Sequence, residues 1–139
     1  LTPARLSAPP QWQAEIAGYS ASDFESKIVG SFRLPTGPIA PQNAAEFTIA
    51  RWWATQLRPG QTSALTFVGI NRLAELLLRA NPHIRRALVA TYPFVFVDEF
   101  QDTTYAQYDF LHSAFSGGQT IITGVGDDKQ RIMVFAGAR

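Results

Sequence analysis

The chain has no cysteine, a single methionine and no long apolar run. Each absence excludes something. Without cysteine there is no disulfide and no thiolate metal site. A reducing compartment agrees with that but is not proved by it. No stretch approaches the ~18 consecutive apolar residues of a membrane span, and no signal peptide opens the sequence. Charge of one sign is also lacking. The formal net charge is +1, so the whole-chain balance argues neither for nor against a polyanionic partner, and only local distribution can. A glycine-rich GxxxxGK[ST] loop, whose backbone N–H groups cradle phosphates, is missing as well. The chain begins at Leu1 and its methionine is Met133, the pattern expected of an internal or processed piece.

What is present is enough for a core. The chain has 139 residues, 46% of them hydrophobic and 17% charged, the size of one domain or part of a larger one. Six of its nine prolines lie in the first 41 residues (Pro3, Pro9, Pro10, Pro35, Pro38, Pro41), which resists long regular elements there. A short helix is predicted from "SDFE", with Ser22 and Glu25 as a capping box and Gly30 as its stop. A second helix follows Pro41, capped by Asn43 with Glu46 at its third position. Its inward stripe is Ala45, Ile49, Trp52 and Trp53, and "RPG" at 58–60 ends it. A leucine-rich helix is predicted over about 70–80, and Asn81-Pro82 breaks it and caps a fourth, "PHIRRALVATY".

Then the texture changes. "FVFV" at 94–97 is a continuous β-branched and aromatic run, the pattern of a strand covered on both faces. Residues 104–115 read as a helix with Ala106, Phe110 and Leu111 inward, stopped by Gly117-Gly118, and 120–125 as a second strand. Strand, helix and strand over about 30 residues make a βαβ unit, so the strands should be parallel with a right-handed crossover.

Both strands run out into acids. The first gives Asp98, Glu99 and Asp102 and the second Asp127 and Asp128, five of the chain's eleven acids. Ligands of open parallel sheets bind beyond the carboxyl ends of the strands. Clustered carboxylates raise one another's pKa unless a cation sits among them, and a hard cation such as Mg²⁺ bridges a few carboxylates to phosphate oxygens. A Mg²⁺-phosphate site is one reading. The other is that these acids cap helices and face water, with Asp102 able to cap the helix near Thr104.

The residues carry a resemblance. "VDEFQDT" at 97–103 closely resembles the Walker B region, motif II, of superfamily 1 DNA helicases of the UvrD/Rep/PcrA type. "VGDDKQRIMVFAGA" at 125–138 resembles their motif III at a matching distance, and "LTFVGINRLAELLLRANPHIRRAL" sits where that family has a leucine-rich lead-in. The resemblance covers about residues 65–139. It implies an α/β fold: a partial RecA-like P-loop NTPase motor domain (1A) over 65–139, preceded by a mostly helical, 1B-like accessory subdomain in 1–64.

The resemblance also implies roles. Asp98 would hold Mg²⁺ through water, and Glu99 would orient and deprotonate the water attacking the γ-phosphate. Gln130 would sense that phosphate, with Gln101 and Asp127 beside the nucleotide, and Phe135 would stack on a single-stranded base. The cofactors implied are Mg²⁺ and ATP, and the DNA partners are single strands and duplex junctions. The location implied is the bacterial cytoplasm, at the nucleoid. Four positions depart from the family pattern: Lys129, Arg131, Met133 and Ala136. The missing phosphate loop leads to the expectation that these residues alone hydrolyse little ATP. Residues 1–64, without their expected partners, are expected to pack differently or to self-associate.

Other features have blander readings. Trp52-Trp53 reads as core or a subdomain interface. Arg72, Arg79, Arg85 and Arg86 read as a solvated face or as contacts to DNA phosphates. His83 and His112 lack metal-ligand partners at usable spacing. Three functions remain open at this point: an ATP-hydrolysis half-site of a helicase, a degenerate helicase-like interaction module, and a metal-dependent phosphodiesterase using the same acids.

Overall fold

The computed structural model describes residues 23–57 and 65–130, apart from the side chains at positions 55 and 128. Ser22 of the expected capping box and Phe135, Arg131, Met133 and Ala136 lie outside the described residues.

The described chain opens with one π-helical stretch, Phe24–Val29, where a short helix stopped by Gly30 is expected. Asp23 provides no side-chain cap, and Gly30 closes the stretch by donating its N–H to the Glu25 carbonyl, five residues back. Four α-helices and two strands follow. Helix α1 is Ala44–Gln56, with Asn43 Oδ1 accepting the Glu46 N–H as expected of its cap. Helix α2, Phe67–Ala80, starts three residues earlier than its leucine pattern suggests, because Thr66 accepts the Gly69 N–H. Helix α3, Pro82–Thr91, is capped by Asn81 with proline in its first turn. Strand β1 is Phe94–Val97, helix α4 is Tyr105–Phe115, and strand β2 is Ile121–Gly124.

The strands pair in parallel, Phe94 opposite Ile121 through Val97 opposite Gly124, as the βαβ reading requires. Helix α4, the crossover, carries a complete capping box: Thr104 accepts the Gln107 N–H, and the Gln107 side chain accepts the Thr104 N–H. Asp102 is therefore not the N-cap of this helix. At its other end Gly117 takes φ +68, a left-handed turn that a residue with Cβ seldom adopts.

Among the described residues two apolar clusters hold the fold, and α2 belongs to both. In the first, Phe24, Val29, Leu34, Ile49, Trp52 and Trp53 pack with Leu65, Val68, Leu73 and Leu76. The two tryptophans meet edge to face at 4.9 Å, so they are core, as expected. The inward stripe of α1 includes Ala44 and Thr48 in place of Ala45. In the second cluster Leu78, Ala114 and Phe115 pack with Leu88, Val89, Val95, Phe110 and Leu111. Each fully buried side chain of this kind stabilises by ~1.5–3 kcal/mol.

The strands differ from their expected burial. Val95 and Val97 are half-buried, but Phe94 and Phe96 are 60% and 74% exposed, and β2 is exposed throughout. Among the described residues the helices cover one face of a two-stranded sheet, and the residues alternating outward meet no second layer. No helix among the described residues is long and apolar enough to cross a membrane.

Candidate functional site

The strands leave the sheet side by side, and their exits are stapled together. Val125 donates its N–H to the Val97 carbonyl at 2.8 Å, and Phe100 returns one to the Val125 carbonyl at 2.9 Å. Between these bonds the chain after β1 turns sharply. Glu99 sits at φ 51, the left-handed region, and is the only described non-glycine residue with positive φ. Such a conformation costs a side-chain-bearing residue ~1–3 kcal/mol and is typical of sites where geometry is imposed by surroundings. A 3₁₀ turn, Phe100–Asp102, follows.

Asp98, Glu99 and Asp102 line one cleft of about 370 Å³, together with Asn71, Val97, Thr103, Gln107, Phe110 and Leu111. Asp98 Oδ1 accepts the Glu99 N–H at 2.9 Å. The predicted convergence of both strand tips is only partly met. Asp127 and Gln130 stand beside this cleft without lining it. They are joined to it through Gln101, which is buried while Asp98, Glu99 and Asp127 are exposed. Its Nε2 donates to Glu99 Oε2 at 2.6 Å, and its Oε1 accepts the Asp127 N–H at 3.0 Å.

Asp127 in turn accepts the Lys129 N–H at 2.9 Å and the Gln130 side-chain amide at 3.0 Å. Those two donors hold its carboxyl below the usual carboxylate range, the reverse of the mutual elevation expected of crowded acids. Lys129 enters here through its backbone N–H. Glycines make the approach of the two exits feasible: a Cβ on Gly126 would stand 2.2 Å from Gln101 Oε1, and one on Gly124 would stand 3.0 Å from the Phe100 ring.

Among the described residues no three acids or histidines form a metal-holding group. Asp98, Glu99, Asp102 and Asp127, the acids whose side chains are described, therefore do not gather round one ion. Asp98 on the cleft still fits the sparser arrangement in which one carboxylate, waters and phosphate oxygens share a Mg²⁺.

The arginines correct the sequence reading. Arg72 is fully buried, donating Nε to the Gly30 carbonyl at 2.9 Å and Nη1 to Asp109 Oδ2 at 2.5 Å. Arg79 bonds both oxygens of Glu75, at 2.6 and 2.9 Å, and the Leu34 carbonyl. Arg72 is thus neither a solvated face nor open to DNA, while Arg79 is half-buried and spends its guanidinium on Glu75 and the Leu34 carbonyl. Arg85 bonds the Ser116 carbonyl, and Arg86 meets His83 Nδ1 at 2.8 Å. His83 and His112 are exposed, and His112 stacks on Tyr108.

Sequence reasoning missed the centre of this network. Glu75 is fully buried, with Arg33 at 2.8 Å and Ser113 at 2.7 Å besides Arg79. Burial pushes its carboxyl up, but the bonds from Arg79, Ser113 and Arg33 outweigh that and bring it to about 2. The available signal was the Arg72, Glu75, Arg79 spacing, three and four residues apart on a leucine-rich helix.

With this geometry in view, the comparisons decide the family. The UvrD/REP helicase N-terminal domain family matches residues 20–139. The chain belongs to the UvrD/REP helicase family. Its relatives there include the RecBCD enzyme subunit RecB of Buchnera aphidicola subsp. Schizaphis graminum, 35% identical over 74 residues, covering 51% of this chain and 6% of that protein. RecB of Mycolicibacterium smegmatis is 40% identical over 68 residues, covering 49% of the chain and 6% of that protein. The ATP-dependent DNA helicase Rep of Escherichia coli is 35% identical over 77 residues, covering 55% of the chain and 11% of Rep. The chain thus matches about a tenth or less of the length of these relatives. No solved structure matches. The small parallel sheet with its helices is compatible with an α/β fold for this member of the helicase family.

Proposed function

We propose that the chain supplies the water-activating part of an ATP-dependent DNA helicase. In this reading residues 65–139 belong to a RecA-like motor domain and 1–64 to an accessory subdomain. The motor couples ATP hydrolysis to movement along single-stranded DNA and to duplex unwinding. One observation carries the reading: in a member of the UvrD/REP helicase family, two parallel strand exits present Asp98 and Glu99 on one cleft and link Glu99 through Gln101 to the loop of Asp127 and Gln130.

Phosphoryl transfer is catalysed mainly by positioning and by neutralising charge. Glu99 is the group to aim the attacking water and take its proton. Asp98 is the group to hold a Mg²⁺, whose chemistry is to draw off charge from the β- and γ-phosphate oxygens. Gln130 is neutral, so its amide can exchange Asp127 for a phosphate oxygen without stranding a charge. Phe135 is assigned base stacking, a contact that tolerates any sequence. The phosphate-cradling loop absent from these residues would come from elsewhere in the helicase polypeptide, so the chain alone is expected to hydrolyse little ATP.

The test is DNA-stimulated ATP hydrolysis by the helicase polypeptide that contains this chain. Glu99→Gln should lower kcat by about 10²- to 10⁴-fold while ATP still binds. Asp98→Asn should raise the Mg²⁺ concentration needed for half-maximal rate. Hydrolysis unchanged by Glu99→Gln would overturn the reading in favour of a helicase-like interaction module.

A further inference from the structure

We propose that Gln101 is a positioning residue, an amide clamp that aims the Glu99 carboxylate by tying it to the loop after β2. This rests on the role proposed for Glu99 and adds what sets that residue's direction. Gln101 is 7% exposed, so its amide must find partners inside the fold. It finds one on each strand exit: the Glu99 carboxylate at 2.6 Å and the Asp127 N–H at 3.0 Å.

The orientation is dictated by those partners. Turning the amide over would set its oxygen against a carboxylate and its NH₂ against another N–H. The clamp therefore has one state, and a short bond to a charged acceptor is among the stronger kinds. It matters at Glu99 in particular, because that residue leaves β1 on left-handed backbone and its side chain accepts no other hydrogen bond among the described residues.

The far end of the clamp is the part that can move with ligand. Asp127 offers its N–H to Gln101 and its carboxylate to Gln130. A continuous path thus runs Gln130, Asp127, Gln101, Glu99. If Gln130 leaves Asp127 for a phosphate, the loop shifts at the same residue whose N–H holds Gln101. Glu99 is then aimed only when the loop after β2 is in register. Gly126 is the clearance this arrangement needs, since any Cβ there would occupy the position of Gln101 Oε1.

Two measurements test the clamp. In the 139-residue chain, Gln101→Leu should speed hydrogen exchange of the Asp127 amide about tenfold, with tryptophan fluorescence and far-UV circular dichroism unchanged. Gln101→Glu keeps an acceptor for that amide, so its protection should stay. In the helicase polypeptide both substitutions should lower kcat about 10- to 100-fold with little change in KM for ATP. In a Glu99→Gln background the same substitutions should have almost no further effect, because the residue they act through is gone. Equal losses in both backgrounds would show a general structural role and overturn the proposal, as would unchanged exchange at Asp127. If Gln101→Leu does not fold, Gln101→Glu and Gly126→Ala carry the test. Should Glu99→Gln itself leave hydrolysis intact, the functional reading fails, while the exchange data still decide whether the clamp exists.

Discussion

Two glutamates of this chain share a side chain and almost nothing else. Glu75 lies inside the fold with no exposed surface, and Arg33, Arg79 and Ser113 all donate to its two oxygens. Glu99 is exposed on the rim of a cleft, stands on left-handed backbone and accepts one side-chain bond, from Gln101. The first is saturated, so it can hold but not react. The second keeps acceptor capacity for a proton or a water. Helix α4 connects the two environments, with Ser113 near one end and its cap, Thr104, just beyond the acids at the other. Burial and number of donors, more than residue type, separate the carboxylate that builds the fold from the one proposed for chemistry.

The comparison can be broken most forcefully at Glu75. Replacing it with alanine leaves Arg79 and part of Arg33 facing each other without their counter-charge, and removing one partner of such a buried arrangement costs about 3–5 kcal/mol. Urea unfolding should show that loss, whereas Glu99→Gln should change stability by no more than about 0.5 kcal/mol. Equal losses at both sites would erase the distinction.

A pH series sharpens the same contrast. The Glu75 carboxyl lies at about 2 in the fold against an ordinary 4.5, so its stabilising effect is complete above pH 4.5 and is lost as pH falls toward 2. The unfolding free energy should decline across that window, and Glu75→Gln should flatten the decline. A slope unaffected by the substitution would mean that other carboxylates carry it.

Smaller effects belong to the link between the two sites. Gly126→Ala should displace Gln101 and disturb Glu99 while leaving the tryptophan core intact, read as faster Asp127 exchange with unchanged tryptophan emission. Thr104→Ala removes the cap of α4 and should cost about 1 kcal/mol of stability. A cost near zero would mean that α4 is held by packing alone.

What the sequence made legible follows from range. Caps are local chemistry, so Asn43 with Glu46 and Asn81 with Pro82 could be read directly, and the same is true of the parallel pairing implied by strand, helix and strand. The acids at the strand exits were visible too, and three of them share a cleft. Long-range chemistry was not visible. Arg33 reaches Glu75 across 42 positions and Ser113 across 80, and no spacing rule announces that. "FVFV" reads alike whether one face or two is covered, so the exposure of Phe94 and Phe96 needed the structure. Gln101 was assigned to the nucleotide by resemblance. Its bonds to Glu99 and to the Asp127 N–H could not be read that way, because the second depends on a loop 26 residues away.

The most direct measurement compares turnover and thermal stability of Glu99→Gln and Glu75→Gln in the same helicase polypeptide. Glu99→Gln should lose at least about 100-fold in kcat with an unchanged Tm, and Glu75→Gln should lose Tm while its folded fraction still turns over ATP. Full turnover in Glu99→Gln at an unchanged Tm would contradict the role given to that carboxylate.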